Sequence, residues 1–92
     1  MPGILNVPSG LQPLVNGAKA LELSNGTLDG ALHRLDTQFP GIWDRLIDEF
    51  GEVHAFINIF VNGDDIAYLQ GLLTPVGEGT EVDIVPSIAG GR

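Results

Sequence analysis

The chain has 92 residues, and four Lys+Arg against twelve Asp+Glu leave a formal net charge of -8 at pH 7. Hydrophobic residues make up 43%, enough to build one core in one domain, so the acidity does not signify disorder. Cysteine is absent, which excludes disulfides, Cys-ligated metals and thiol nucleophiles, and the scarcity of cations argues against a phosphate-backbone partner.

The opening residues Met1 to Asn6 lack the charge and apolar run of a signal peptide, and no apolar stretch is long enough to span a bilayer, so a soluble cytoplasmic protein is expected. Ile4 to Pro8 reads as a short strand, and a turn-rich stretch holds Gly10, Pro13 and Gly17. Ala18 to Leu23 alternates as a second strand, close enough to pair with the first. Ser24-Asn25-Gly26-Thr27 supplies turn chemistry and a helix cap, and Asp29 suits the positive end of a helix dipole.

From Thr27 the period changes. Leu28, Ala31, Leu32, Leu35 and Phe39 lie on one helical face. Pro40 ends this helix or starts a short second one, where Ile42, Trp43, Leu46, Ile47 and Phe50 can pack before Gly51. His54 to Val61 is the strongest strand, with Ala55, Ile57, Ile59 and Val61 on one face and His54, Phe56, Asn58 and Phe60 on the other. Asn62-Gly63 marks a tight turn, after which Ile66-Ala67-Tyr68 reads as a returning strand. Gly71 to Pro75 reads as a buried connector, Gly77-Glu78-Gly79 as a turn, and Thr80 to Val85 as a last alternating strand. Strands, a main helix and further strands make an α+β order. A helix laid across a mixed sheet, its Leu28/Leu32/Leu35 stripe against Ile57, Ile59 and Val61, is the β-grasp or ubiquitin-like arrangement. The expected division is a β-grasp domain over 1–86 and a tail over 87–92.

Several polar residues have bland readings. His33 and His54 lack ligand-spaced neighbours, and Asp64-Asp65 lacks a calcium-loop pattern. Ser9, Ser24 and Ser87 have no nucleophile-elbow context, and Gly77-Glu78-Gly79 is too short for a phosphate loop. No catalytic residue, bound cofactor or metal is expected. Trp43 and Tyr68 read as packing at helix and loop edges. Phe56, Phe60 and Ile88 read equally as core or as an exposed patch where a partner docks.

Three segments occur in order: Asn58 to Ile66 (NIFVNGDDI), Glu78 to Pro86 (EGTEVDIVP) and Ala89-Gly90-Gly91. Together they resemble the MoaD/ThiS family of ubiquitin-like sulfur carriers. Ala55 to Asn62 and Val85 to Gly91, with Phe39-Pro40-Gly41-Ile42 and Arg45-Leu46, are most similar to its actinobacterial cysteine-biosynthesis branch, the CysO type. The resemblance implies a protein that enzymes act upon, not an enzyme. A MoeB/ThiF-like activating enzyme would use ATP to adenylate the Gly91 carboxylate, and sulfur would replace the adenylate to leave a thiocarboxylate. Ser87, Ile88, Ala89 and Gly90 would thread the partner's active site, glycine adding no bulk. A sulfur-acceptor synthase would take the sulfur.

Arg92 departs from the family's mature end, because while it remains the Gly91 carboxyl is an amide. A peptidase would have to remove it, unless it is a cloning remnant. Ala55 and Ala67 also depart, standing where basic residues are expected in this branch. Two related roles share the chemistry: the small subunit of molybdopterin synthase, and a ubiquitin-like modifier forming isopeptide bonds. A plain interaction domain is the third alternative.

Overall fold

The computed structural model describes residues 1–86, so the readings placed on Ser87 to Arg92 lie outside the described residues. Period-two alternation organises its main sheet. Strand β1 (Gly3–Asn6) pairs antiparallel with β2 (Ala20–Leu23), as the two alternating N-terminal runs predict. Between them the turn-rich stretch folds as a 3-10 helix over Ser9–Val15, which buries Leu11 and Val15. It stops at Asn16 and Gly17, both in the left-handed backbone region.

After β2, the two-residue strand β3 (Gly26–Thr27) leads into helix α1 (Leu28–Gln38). Thr27 is the expected cap: its Oγ1 accepts a hydrogen bond from the Gly30 N–H at 3.1 Å. The predicted apolar stripe is the buried one, with Leu28, Ala31, Leu32 and Leu35 enclosed and Phe39 packed at its end. Pro40 separates α1 from the short helix α2 (Ile42–Leu46). Asp36 ties the two together, since its Oδ1 accepts from the Gly41 N–H at 3.1 Å and the Trp43 N–H at 3.0 Å. The Trp43 ring stacks on His33 with centroids 3.8 Å apart, which places Trp43 at the helix edge as expected.

Strand β4 (Ile57–Val61) turns through Asn62 and Gly63, both at positive φ, into β5 (Asp64–Asp65). This is the hairpin that Asn-Gly signals. Pro75–Val76 forms β6, which pairs with β3 and anchors the start of α1, where the Leu28 N–H donates to the Thr74 carbonyl at 2.9 Å. Finally β7 (Glu81–Pro86) inserts between β1, which it meets in parallel, and β4, which it meets antiparallel. The main sheet therefore runs β2-β1-β7-β4-β5, and α1 crosses its inner face in the β-grasp arrangement.

Leu5, Leu23, Ile59, Val61, Val82 and Ile84 point inward from four strands and meet the α1 stripe together with Ile42, Leu46 and Ile47. Each such side chain contributes about 1.5–3 kcal/mol on burial, so this layer dominates the stability. Among the described glycines Gly3 has the least room: a Cβ there would lie 2.8 Å from the Gly77 carbonyl oxygen, a backbone atom.

Four expectations need correction. The strand predicted from His54 begins only at Ile57, because the Ile57 N–H donates to the His54 carbonyl at 3.2 Å and closes a turn. Ala55, expected on the core face, is consequently exposed. Ile66-Ala67-Tyr68 is a 3-10 turn rather than a strand, since Asp65 Oδ1 accepts from the Ala67 N–H at 2.8 Å and curls the backbone. That turn leaves Tyr68 88% exposed instead of packed. Phe50 is 80% exposed rather than packed with α2; it sits on a turn in which Asp48 Oδ1 accepts from the Phe50 and Glu52 N–H groups. Lastly, the connector from Gly71 to Pro75 is buried only at Thr74, while Leu73 is 66% exposed.

Candidate functional site

The site predicted from the sequence is the tail, which lies outside the described residues; the last residue described before it is Pro86. Strand β7 lies inside the sheet, paired with β1 over Glu81 to Asp83 and with β4 as far as Pro86, which stands opposite Ile57. The residues next to the tail are thereby held by β4 alone. Five residues beyond Pro86 reach at most about 17 Å when extended. A protein that engages Gly91 must therefore meet the body near the end of β7, and the surfaces around that point decide what it meets.

One such surface is the outer face of the sheet. Register places Ala20, Asn6, Asp83, Phe60 and Asp65 in one row across all five strands. Glu22, Ile4 and Glu81 form a neighbouring row, and Val85 stands opposite Asn58. The face is thus apolar at Ile4, Phe60 and Val85 and carries four carboxylates. Asn6 holds two of them, its Nδ2 donating to Glu81 Oε2 and to Asp83 Oδ1 at 2.7 Å each. Phe60, half of the expected docking pair, lies half-buried in this face. Phe56, the other half, is 70% exposed but falls on the turn before β4, so the two do not share a strand face.

A second surface was not foreseen. An open groove of about 540 Å³ runs between the 51–55 loop and the two 3-10 turns at Ile66–Tyr68 and Gly71–Leu73. Its lining includes Val53, Ile57, Ile66 and Leu72, with Ala55 and Ala67 on opposite sides. Both alanines were singled out in the sequence as departures from a basic pattern, and the fold brings them to one place. The charged residues in the lining are Glu52 and Asp65, beside His54. The His54 ring is occupied, its Nε2 lying 3.1 Å from the Asp44 carbonyl.

Among the described residues there is no group of three or more His, Asp or Glu placed to hold a metal ion, and no helix is long and apolar enough to cross a membrane. His33 lies 3.6 Å from Asp29 on α1, a surface pair one turn apart. Ser9 starts a 3-10 helix, and neither it nor Ser24 hydrogen-bonds a histidine among the described residues.

The sequence profile of the ThiS family matches residues 6–91, an interval that runs from the end of β1 through every later strand and both tail glycines. The sulfur carrier protein CysO of Mycobacterium tuberculosis (strain ATCC 25618 / H37Rv) is 36% identical over 89 residues, covering 95% of this chain and 96% of that protein. The crystal structure of Mycobacterium tuberculosis CysO superposes with a TM-score of 0.88 at 33% identity, over 94% of this chain and 99% of that one. A chain of the Amycolatopsis orientalis BexX/CysO complex gives a TM-score of 0.87 at 30% identity, over 97% and 99% respectively. With the profile spanning nearly the full length and relatives alike end to end, the chain belongs to the ThiS family.

Proposed function

We propose that this protein is a sulfur carrier of the CysO type, working through a thiocarboxylate on Gly91 and acted upon by enzymes rather than catalysing a reaction itself. The observation that carries this reading is the family match, which continues past the last strand to Gly91. The chemistry suits the chain. A carboxylate is a poor electrophile; an activating enzyme of the MoeB/ThiF kind would join it to AMP, releasing pyrophosphate from ATP. Sulfide equivalents would then attack the carbonyl and expel AMP, leaving carbon bound to one oxygen and one sulfur. The chain has no cysteine, so no side-chain thiol competes for the sulfur. An acceptor synthase would then collect it, for cysteine or a related metabolite.

Arg92 must be absent for this to happen, because an amide at Gly91 offers no carboxylate. A peptidase that removes it is part of the proposal. Two forms of the protein, ending at Arg92 and at Gly91, are to be incubated with the activating enzyme, ATP and a sulfide source, then weighed intact. The expected result is exchange of one oxygen for sulfur in the Gly91 form alone. No exchange in either form, with an enzyme active on its own carrier, would sink the reading.

A further inference from the structure

The two edges of the main sheet are finished differently. At one edge, β5 is only the pair Asp64 and Asp65, a short charged end of the kind that discourages further pairing. At the other, β2 runs over Ala20–Leu23 with no strand beyond it. Its register with β1 settles which backbone groups stay free. The Val7 N–H donates to the Lys19 carbonyl at 2.8 Å, which continues the series of pairs Gly3↔Leu23 and Leu5↔Leu21. In an antiparallel ladder every second pair exchanges hydrogen bonds. Leu21 and Leu23 therefore bond to β1, while Ala20 and Glu22 turn their N–H and C=O groups outward. No backbone group outside this strand pair meets those four among the described residues.

Beside the open edge lies a groove of about 360 Å³ between β2 and the end of α1. Its apolar lining comes from Leu21, Leu23, Leu35 and Phe39, with Gln38 on the helix side. Leu21 and Leu23 alternate with Ala20 and Glu22 and so face the helix. A strand added to β2 would lay every second side chain into this groove, while its backbone met the free groups of Ala20 and Glu22. Ser24, also in the lining, has a buried Oγ with no hydrogen-bond partner among the described residues, whereas buried hydroxyls are normally paired.

Charge narrows the occupant. The chain carries -8 overall, yet of Lys19, Arg34 and Arg45, the Lys and Arg side chains among the described residues, the first two flank this groove. Lys19 stands at the head of β2. Arg34 precedes Gln38 by one helical turn and shares its side of α1. Glu22, the carboxylate of the lining, springs from the outer face opposite Ile4. A second copy of this chain fits less well, since its own β2 would bring another Lys19 to the seam instead of an acid.

We propose that β2 accepts an extended peptide segment of a partner protein as a sixth strand, its alternate aliphatic side chains in the groove and an acidic residue held by Lys19 and Arg34. Strands β1 and β7 stand between this edge and β4, the strand that holds Pro86. The seat is separate from the tail, and it does not rest on the carrier reading.

The test is a selection of short random peptides displayed on phage against the full chain, followed by calorimetry with the enriched peptide. Two aliphatic residues in alternation beside Asp or Glu are expected to be enriched, with slowed amide exchange at Ala20 and Glu22 in the complex. Ala20→Pro deletes one outward N–H and leaves the β1 ladder its donors. Arg34→Glu reverses the charge beside the groove, and Arg45→Glu makes the same change on α2, outside the lining. Circular dichroism checks that each variant is folded. Kd is expected to rise about 10-fold or more for Ala20→Pro and Arg34→Glu and about 2-fold or less for Arg45→Glu. No enrichment, a consensus without an acid, or equal effects from the two arginine variants would overturn the proposal. So would protection of Ala20 and Glu22 that rises with protein concentration in the absence of peptide, which makes a second copy the occupant.

Discussion

The two faces of the main sheet share a backbone and differ in almost everything else. Inward, Leu5, Val82 and Ile59 meet the α1 stripe at 0 to 1% exposure. Outward, the residues beside them are Ile4, Asn6, Asp83, Phe60 and Glu81, half-buried or exposed. A single residue of slip would exchange the two sets, so the register is strongly specified by the inner face alone. The outer face is then freer to carry carboxylates and isolated apolar groups, because far less folding energy depends on their identity. That division lets a small carrier keep one shape while its surface is adapted to partners.

Substitutions should therefore have effects that fall steeply from inside to outside. Leu32→Ala removes a fully enclosed side chain from the middle of the α1 stripe and is expected to cost about 2–5 kcal/mol in urea unfolding. A loss under about 1 kcal/mol would mean the helix is not seated as described. Gly3→Ala comes next. Its new methyl group meets the Gly77 carbonyl at 2.8 Å, and since that oxygen is backbone the sheet must shift, at about 1–3 kcal/mol. Thr27→Ala deletes the α1 cap, with an expected loss of about 1 kcal/mol that Thr27→Ser should largely restore. Thermal melts of the three variants give the ranking directly.

How much of this was legible beforehand follows the same division. Where burial imposes a period, the residues announce it: the β1 and β7 alternation, the α1 stripe and the Thr27 cap all stand where the sequence places them. Short segments carry no such period. Three residues at Ile66–Tyr68 look alternating, but one hydrogen bond from Ala67 to Asp65 Oδ1 outweighs the preference and makes a 3-10 turn. Phe50, expected to pack with α2, and Tyr68, expected to pack at a loop edge, are both lifted out by turns. Gly26-Thr27 reads as cap and turn, and it also pairs with Pro75–Val76, a long-range contact invisible to local patterning. The groove is the extreme case. It exists only because residues 51–55 and 66–73 are neighbours in space, and its sole trace in the sequence was the pair Ala55 and Ala67. The tail glycines take their expected chemistry from the family resemblance and lie outside the described residues.

The smallest predicted effect probes the outer face itself. Asn6 donates from one amide nitrogen to both Glu81 and Asp83, which stand two residues apart on the same side of β7. Asn6→Ala leaves those carboxylates adjacent with no donor between them. Both lie toward solvent, so water resolvates them and the loss should be only about 0.5 kcal/mol at physiological salt. What distinguishes this variant is its dependence on ionic strength. Repulsion between the two carboxylates is screened over about 8 Å at 0.15 M and about 3 Å at 1 M salt, so the deficit should shrink as salt rises and grow as it falls. Leu32→Ala should show no such trend, because a cavity has no charge to screen. Urea midpoints for both variants across a salt series make the comparison. A salt-independent loss of several kcal/mol at Asn6 would show that the outer face is structural after all, and that its carboxylates are held for the fold rather than left available to a partner.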